Sequence, residues 1–383
     1  MKKIFIVTST RADFGILKNL ILELSQKKNV KLTTILTGTH FMKSFGYTIK
    51  DIIHNKDLNI KKIKINYSTD KNIDLIKIKN KISNEFSEYI NKIKPNLVII
   101  LGDRFEILEC AISSYLMRVP IAHIHGGEIT GGSYDDSMRH AISKLSNFHF
   151  VSQKNFKKRL IQLGENKSNI FTVGSLGVDA ILKEKLLSRN ELEKKFSIKF
   201  KDKNLIFVFH PINHSNHSSE KDLKEILKAF KTFKNTSIFA TYPGLENGTE
   251  KYNQILGKFS VLNNNFYLFK SLGSKNFLSM MSHVDAIIGN SSSGIIEMAS
   301  FKKGSINIGD RQKGRLQSKN TINCLAKKKS ITSSLNKIYT KKFQSNLKSV
   351  HNIYYKKNST KLIVKKIMNL NLSNVKIKQF IDI

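Results

Sequence analysis

Acids, imidazoles and arginines recur in this chain just after apolar runs. Ser9-Thr10-Arg11-Ala12-Asp13 follows Lys3–Val7, and Arg11 with Asp13 could grip a phosphate or a sugar. Gly102-Asp103-Arg104-Phe105-Glu106 follows Leu97–Leu101. His123-Ile124-His125-Gly126-Gly127-Glu128 closes the next run, and Asp135-Asp136-Ser137-Met138-Arg139-His140 then opens a helix. Each has a plainer reading beside it. Aspartate before a helix is a favoured cap, which competes at Asp13, Asp103, Asp135 and Asp136, and Arg139 could pair with the last two at helical spacing. His123 and His125 lie two apart and would share one face of a strand. No third ligand stands at a recognisable spacing and no H-E-x-x-H occurs, so no metal site is read here. Acids and an imidazole converging on one crevice are what proton transfer at a sugar carbon needs.

A second group lies late in the chain. Residues 289–299 read G-N-S-S-S-G-I-I-E-M-A, an apolar strand running into small hydroxyl residues, with a helix expected to begin at Ile295. Free backbone N–H groups at a helix start, with Asn290, Ser291 and Ser292, make an anion site. Glu297 could take the two hydroxyls of a ribose; serines that merely cap a helix are the plainer reading. His210-Pro211 ends another strand, and Arg311 and Arg315 follow Ser305–Ile308. Together these outline a nucleoside-diphosphate site.

These residues need strand ends to hold them. Strands are expected at Lys3–Val7, Val30–Thr37, Leu97–Leu101, Ile121–His125 and Phe148–Ser152, with helices at Phe14–Gln26, Leu75–Ile93, Ile107–Met117 and Ser137–Leu145. The second half repeats the theme with strands Leu205–Phe209, Ser237–Ala240, Phe266–Phe269 and Ala286–Ile288. Its helices are expected near Asp222–Phe233 and at Ser274–Met281, with a last one at Thr360–Met368. Short apolar strands alternating with helices signify parallel sheets covered on both faces, with ligands beyond the strands' C-terminal ends. The expected domains are 1–172, 173–358 and a C-terminal helix and tail, 359–383, packing back on the first. Neither the P-loop sequence nor G-x-G-x-x-G occurs, which argues against an NTPase and weakens a nicotinamide reading.

Composition bounds the rest. The chain has 383 residues, 40% hydrophobic and 25% charged, enough for a large core. Its 65 Lys and Arg against 29 Asp and Glu give a net charge of +36. The excess is mostly lysine spread along the chain, without an arginine stripe or aromatic-interleaved basic segment, so no specific nucleic-acid partner is read. Cys110 and Cys324 lie far apart and suit reduced thiols in a cytoplasmic protein. No apolar run has the length of a membrane span.

The motifs now carry a resemblance. T-S-T-R-A-D-F-G (8–15), T-G-T-H (37–40), G-D-R-F-E (102–106), H-I-H-G-G-E (123–128) and D-D-S-M-R-H-A-I-S-K (135–144) stand in the first half. V-G-S-L-G (173–177), F-H-P (209–211), G-N-S-S-S-G-I-I-E (289–297) and I-N-I-G-D-R-Q-K-G-R (306–315) follow. In this order they resemble the bacterial hydrolysing UDP-N-acetylglucosamine 2-epimerases of sialic-acid biosynthesis. The resemblance implies a GT-B-like α/β fold, two Rossmann-like doubly wound parallel-sheet domains with the active site in the cleft between them. It implies UDP-N-acetylglucosamine and water as substrates, N-acetylmannosamine and UDP as products, no metal or nicotinamide cofactor, and a homo-oligomer, dimer or tetramer. The chemistry implied is anti elimination of UDP to a 2-acetamidoglucal, then syn addition of water.

Residue by residue, Asp103 and Asp135 match family catalytic acids. Arg11, His210, Ser291, Ser292, Glu297 and Arg311 match UDP-binding positions; Arg104, Arg139 and Asn290 stand beside them as substrate contacts. Two departures matter. Many relatives carry a catalytic Glu where this chain has His125, so that role passes to His125, to Glu128 or to a differently used Asp. Tyr242-Pro243-Gly244 has Gly where relatives carry Asn. Four alternatives remain: the same reaction on UDP-2,4-diacetamido-2,4,6-trideoxyglucose, a non-hydrolysing 2-epimerase, a glycosyltransferase, and a non-catalytic binder of sugar nucleotides or polyanions.

Overall fold

The structure is a computed structural model, and it describes residues 1–42, 47–53, 58–65, 72–131, 135–211, 219–243, 249–372 and 378–382. Gly132 and Gly244 lie outside them. The chain forms two compact units, Met1–Glu128 with Asp135–Ala180 and Tyr354–Ile383, and Ile129–Tyr134 with Ile181–Ile353.

The first unit holds a seven-stranded sheet in the order β3-β2-β1-β4-β5-β6-β7, parallel throughout. Its strands are β1 (Lys2–Thr8), β2 (Val30–Leu36), β3 (Ile60–Lys62), β4 (Leu97–Leu101), β5 (Ile121–Ile124), β6 (Phe148–Val151) and β7 (Ile170–Thr172). Alternate residues face opposite sides of a strand. Ile4 and Ile6 enter one core with Leu17, Ile99, Phe150 and Ile363, while Phe5 and Val7 enter another with Phe86, Ile100 and Ile142. Both faces being buried, central strands such as β1 and β4 read as apolar runs, which is why they were legible.

The second unit has a six-stranded parallel sheet, β10-β9-β8-β11-β12-β13. Its strands are β8 (Lys203–Val208), β9 (Thr236–Thr241), β10 (Phe266–Phe269), β11 (Ala286–Gly289), β12 (Gly304–Ile308) and β13 (Thr321–Cys324). In each sheet the strand order reverses beside the first strand, between β1 and β4 and between β8 and β11. Such reversals open the crevices that ligands use.

The unit boundaries differ from the expected ones, for local reasons. The chain turns over at Ala180 rather than 172, because Val173 and Leu176 enter the first unit's core. Asp179 accepts the Thr360 amide at 3.2 Å and the Thr360 hydroxyl, capping the helix Ser359–Asn369. The return begins at Tyr354 rather than 359, since its carbonyl accepts the Ser175 amide at 3.0 Å and its ring stacks on Phe156. At the other end of that helix, Lys2 donates to the carbonyls of Ile367, Met368 and Leu370. Ile129–Tyr134 goes with the second unit, where Arg315 donates to the Ile129 carbonyl at 3.2 Å and to the Thr130 hydroxyl at 3.0 Å. Helix Thr249–Leu262 and strands β3, β7 and β13 fall where the sequence reading placed no element.

Candidate active site

In the first unit, β1 runs into the helix Arg11–Ser25, which starts three residues before the expected Phe14. Thr10 is the N-cap: its hydroxyl accepts the Asp13 amide at 3.1 Å, and Asp13 accepts the Thr10 amide at 3.0 Å and the Ser9 hydroxyl at 2.8 Å. Asp13 is thus spent on a capping box. Arg11 sits at the first helical position, where a cation gains nothing from the helix dipole.

Asp103 is not a cap. Arg104 occupies the N-cap position of helix Phe105–Leu116, without a side-chain cap bond. Gly102, at φ +81°, turns the chain out of β4. Arg104 lays its guanidinium on both oxygens of the buried Glu106, each at 3.2 Å, and keeps about a third of its side chain exposed.

The two-histidine face does not form. β5 ends at Ile124, and His125 follows in the left-handed region at φ +64°, a conformation disfavoured for a residue with a Cβ. Its amide is anchored to the Phe150 carbonyl at 3.0 Å. His123 is fully buried, with Nε2 on the Gly102 carbonyl at 2.8 Å and Nδ1 on the Ser143 hydroxyl at 3.0 Å. Burial drives its basicity far down, so it is a neutral strut. His125 Nδ1 lies 3.8 Å from Glu128 Oε1, which accepts the Ser152 hydroxyl at 3.1 Å.

Arg139, expected at the substrate, is 3% exposed and points inward. One guanidinium nitrogen donates to the His125 carbonyl at 3.0 Å and another to Asp103. It fixes two candidate proton-transfer residues from the helix Asp135–Leu145, whose first turn carries Asp135 and Asp136. Asp136 lies 3.6 Å from His140. A strained backbone held by a buried arginine is a pattern of functional sites.

In the second unit, Asn290 is completely buried. Its side chain accepts the His210 amide at 2.7 Å and donates to the His210 carbonyl at 2.8 Å. Its own carbonyl accepts Arg311 at 3.3 Å and Gln312 at 2.8 Å. Asn290 therefore places His210 and Arg311, with one side-chain N–H and one acceptor site committed to the His210 backbone. Gln312, which sequence reasoning missed, shares that brace; its place within the 306–315 motif was the only signal. Burial and the Arg311 charge hold His210 down to about 3, so its ring is neutral and can donate one N–H.

The serine turn also differs from expectation. The short helix begins at Ser292, with Ser291 as N-cap, and ends at Ile296. Glu297 is therefore at its C-cap, not in its first turn. Five residues make a weak dipole, and the Ser293 and Gly294 amides are bonded to the Ser291 hydroxyl and carbonyl, so an anion here would rely on the serine hydroxyls and Arg311. Burial raises the Glu297 carboxyl, against the lowering effect of Ser293. Gly289 admits no side chain: at φ +138° a Cβ would sit 1.8 Å from the Val208 carbonyl oxygen.

Comparison with known proteins supplies an independent line. A family model described as UDP-N-acetylglucosamine 2-epimerase matches residues 22–368. A Campylobacter jejuni protein named GDP/UDP-N,N'-diacetylbacillosamine 2-epimerase (hydrolyzing) is 40% identical over 385 residues, covering 100% of this chain and 99% of that one. Polysialic acid biosynthesis protein P7 of Escherichia coli is 35% identical over 385 residues, covering 100% and 98%. The Neisseria meningitidis UDP-GlcNAc 2-epimerase structure bound to UDP-GlcNAc superposes with TM-score 0.82 at 18% identity, covering 96% of this chain and 100% of that one. That likeness establishes the fold, two parallel-sheet α/β domains of GT-B-like type.

Proposed function

The chain belongs to the UDP-N-acetylglucosamine 2-epimerase family, and we propose that it is a hydrolysing 2-epimerase of a UDP-linked 2-acetamido sugar. The observation that carries this is the brace of Arg139 on Asp103 and on the left-handed His125. It fixes a carboxylate and the backbone that carries an imidazole, and proton transfer requires placed groups before any question of pKa.

In this reading UDP leaves C1 as the C2 proton is lost, giving a 2-acetamidoglucal. Water then adds its hydroxyl at C1 and a proton at C2 on the opposite configuration, releasing the free 2-epimeric sugar. The departing diphosphate is stabilised by Arg311, His210, Arg11, Arg104 and the donors at Ser291 and Ser292. Glu297 takes the ribose. Removing one such donor costs about 3–4 kcal/mol of transition-state stabilisation. Asp103, Asp135 and His125 carry protons to and from the sugar, and Glu128 orients the His125 ring. Neither a metal nor a nicotinamide takes part. The enzyme acts in the cytoplasm as a homo-oligomer.

For the sugar, the 40% identity to a diacetylbacillosamine enzyme favours the 2,4-diacetamido-2,4,6-trideoxy sugar. The second reading is UDP-N-acetylglucosamine to N-acetylmannosamine, the first step toward sialic acid, which the motif series and the likeness to P7 favour. Pure protein incubated with each sugar, as UDP and as GDP conjugates, separates them by proton NMR of the free product. Release of a free 2-epimeric sugar from one conjugate is expected. Interconversion of intact sugar nucleotides would show a non-hydrolysing enzyme, and binding without product from any of them would sink the catalytic reading.

A further inference from the structure

The first unit contains a buried ionic cluster that the proposed chemistry does not use. Glu165, 3% exposed, takes Lys378 at 2.6 Å, the fully buried His149 at 2.9 Å and Lys144 at 3.3 Å. Lys378 belongs to the C-terminal segment 378–382. Its ammonium also donates to the carbonyls of Ser143 and Ser146, at the end of the helix Asp135–Leu145. The Ser143 carbonyl also accepts the Ser146 amide at 3.1 Å, and a cation at this end of the helix matches the dipole.

The segment is seated by more than charge. The Phe380 ring covers Gly164 so closely that a Cβ there would approach it to 2.5 Å. The Lys144 ammonium stands 4.5 Å over the same ring, and the Ile381 amide donates to the Gly164 carbonyl at 3.1 Å.

The connection toward the site runs through Ser143. Its hydroxyl bonds His123 Nδ1, and His123 Nε2 holds the carbonyl of Gly102, the residue before Asp103. The other half of the same helix carries Asp135 and Arg139. We propose that Lys378 is a positioning residue: its hold on the end of the 135–145 helix sets the placement of Asp135, Arg139 and Asp103. The inference rests on the proposed catalytic role of that helix. A stabilising role alone is a poorer account. Burial pulls Lys378 down to about 8 against the pull of Glu165. A buried ion cluster is weak evidence of net stability, and this one is assigned to holding the helix end in register.

The test compares wild type with Lys378→Met, Lys378→Arg and Ser143→Ala in the full chain, on whichever sugar nucleotide wild type turns over. Misplacement of this kind should lower kcat in Lys378→Met by about tenfold or more, with KM and UDP affinity within about twofold of wild type. Lys378→Arg should recover most of the rate, and Ser143→Ala should reproduce the loss even if Lys378→Met fails to fold. Unchanged kcat in a folded Lys378→Met would overturn the proposal. So would a joint fall of kcat, UDP affinity and melting temperature that arginine does not rescue. Amide exchange across 135–141 reads the same coupling without turnover. Faster exchange in Lys378→Met than in Lys378→Arg is expected, and identical protection would count against the proposal even if wild type processed none of the sugars.

Discussion

Asp103 and Arg311 should fail in different ways when replaced. On the proposed acid–base role, Asp103→Asn keeps the shape but loses that function, so kcat should fall by about a hundredfold or more while UDP affinity stays near wild type. On the proposed diphosphate role of Arg311, Arg311→Ala should lower UDP affinity measured by calorimetry by about 1.5–3 kcal/mol. Matching losses of affinity in both variants would refute this division. His40 makes a separate prediction. It is completely buried between Thr8 and Thr48, and burial followed by the Arg11 charge holds it down to about 3. Its folded pKa lies below the unfolded value near 6.5, so the unfolded chain binds the proton first and stability is lost as pH falls between those values. From pH 7 to pH 5 this one residue should cost about 2 kcal/mol. Urea unfolding at the two pH values should show a smaller drop in His40→Gln; an equal drop would exclude the linkage.

At the scale of elements, the capping of the Ser359–Asn369 helix is borrowed. Its own N-cap, Asn358, sits at φ +61° without a side-chain bond, and Asp179 supplies the acceptor from 181 residues away. Asp179→Ala should cost about 1–2 kcal/mol in urea unfolding; no change would mean the cap is idle. Such long-range partners explain what sequence could and could not give. Strands Leu97–Leu101 and Phe266–Phe269 were readable to the residue because apolar runs need only local sequence. Asp103 and Arg104, beyond the end of the first, followed from that. The partner of Arg139 did not, because helical spacing pointed to Asp135 and Asp136 while the contact is to Asp103, 36 residues away. The left-handed turn at His125 was hidden as well. Nothing in H-I-H announces a positive φ, so His125 read as one more strand residue. Glu297 was misplaced because the S-S-S turn is itself the first turn of the helix.

For the whole molecule, the lysine excess has one physical consequence that bears on catalysis. A net charge of +36 attracts an anionic sugar nucleotide over the distance that salt permits. Second-order turnover, kcat/KM, should fall as salt rises from low to physiological concentration, with kcat nearly constant. A flat kcat/KM would mean that the charge plays no part in substrate capture. Among the described residues no helix is long and apolar enough to cross a membrane. Elimination followed by hydration is the centre of the proposed reaction, and isotopic water tests it most directly. Turnover in D2O containing oxygen-18 should give a free 2-epimeric sugar with deuterium at C2 and the heavy oxygen at C1, beside UDP carrying neither label. Retained protium at C2, or oxygen-18 in the released UDP, would contradict it.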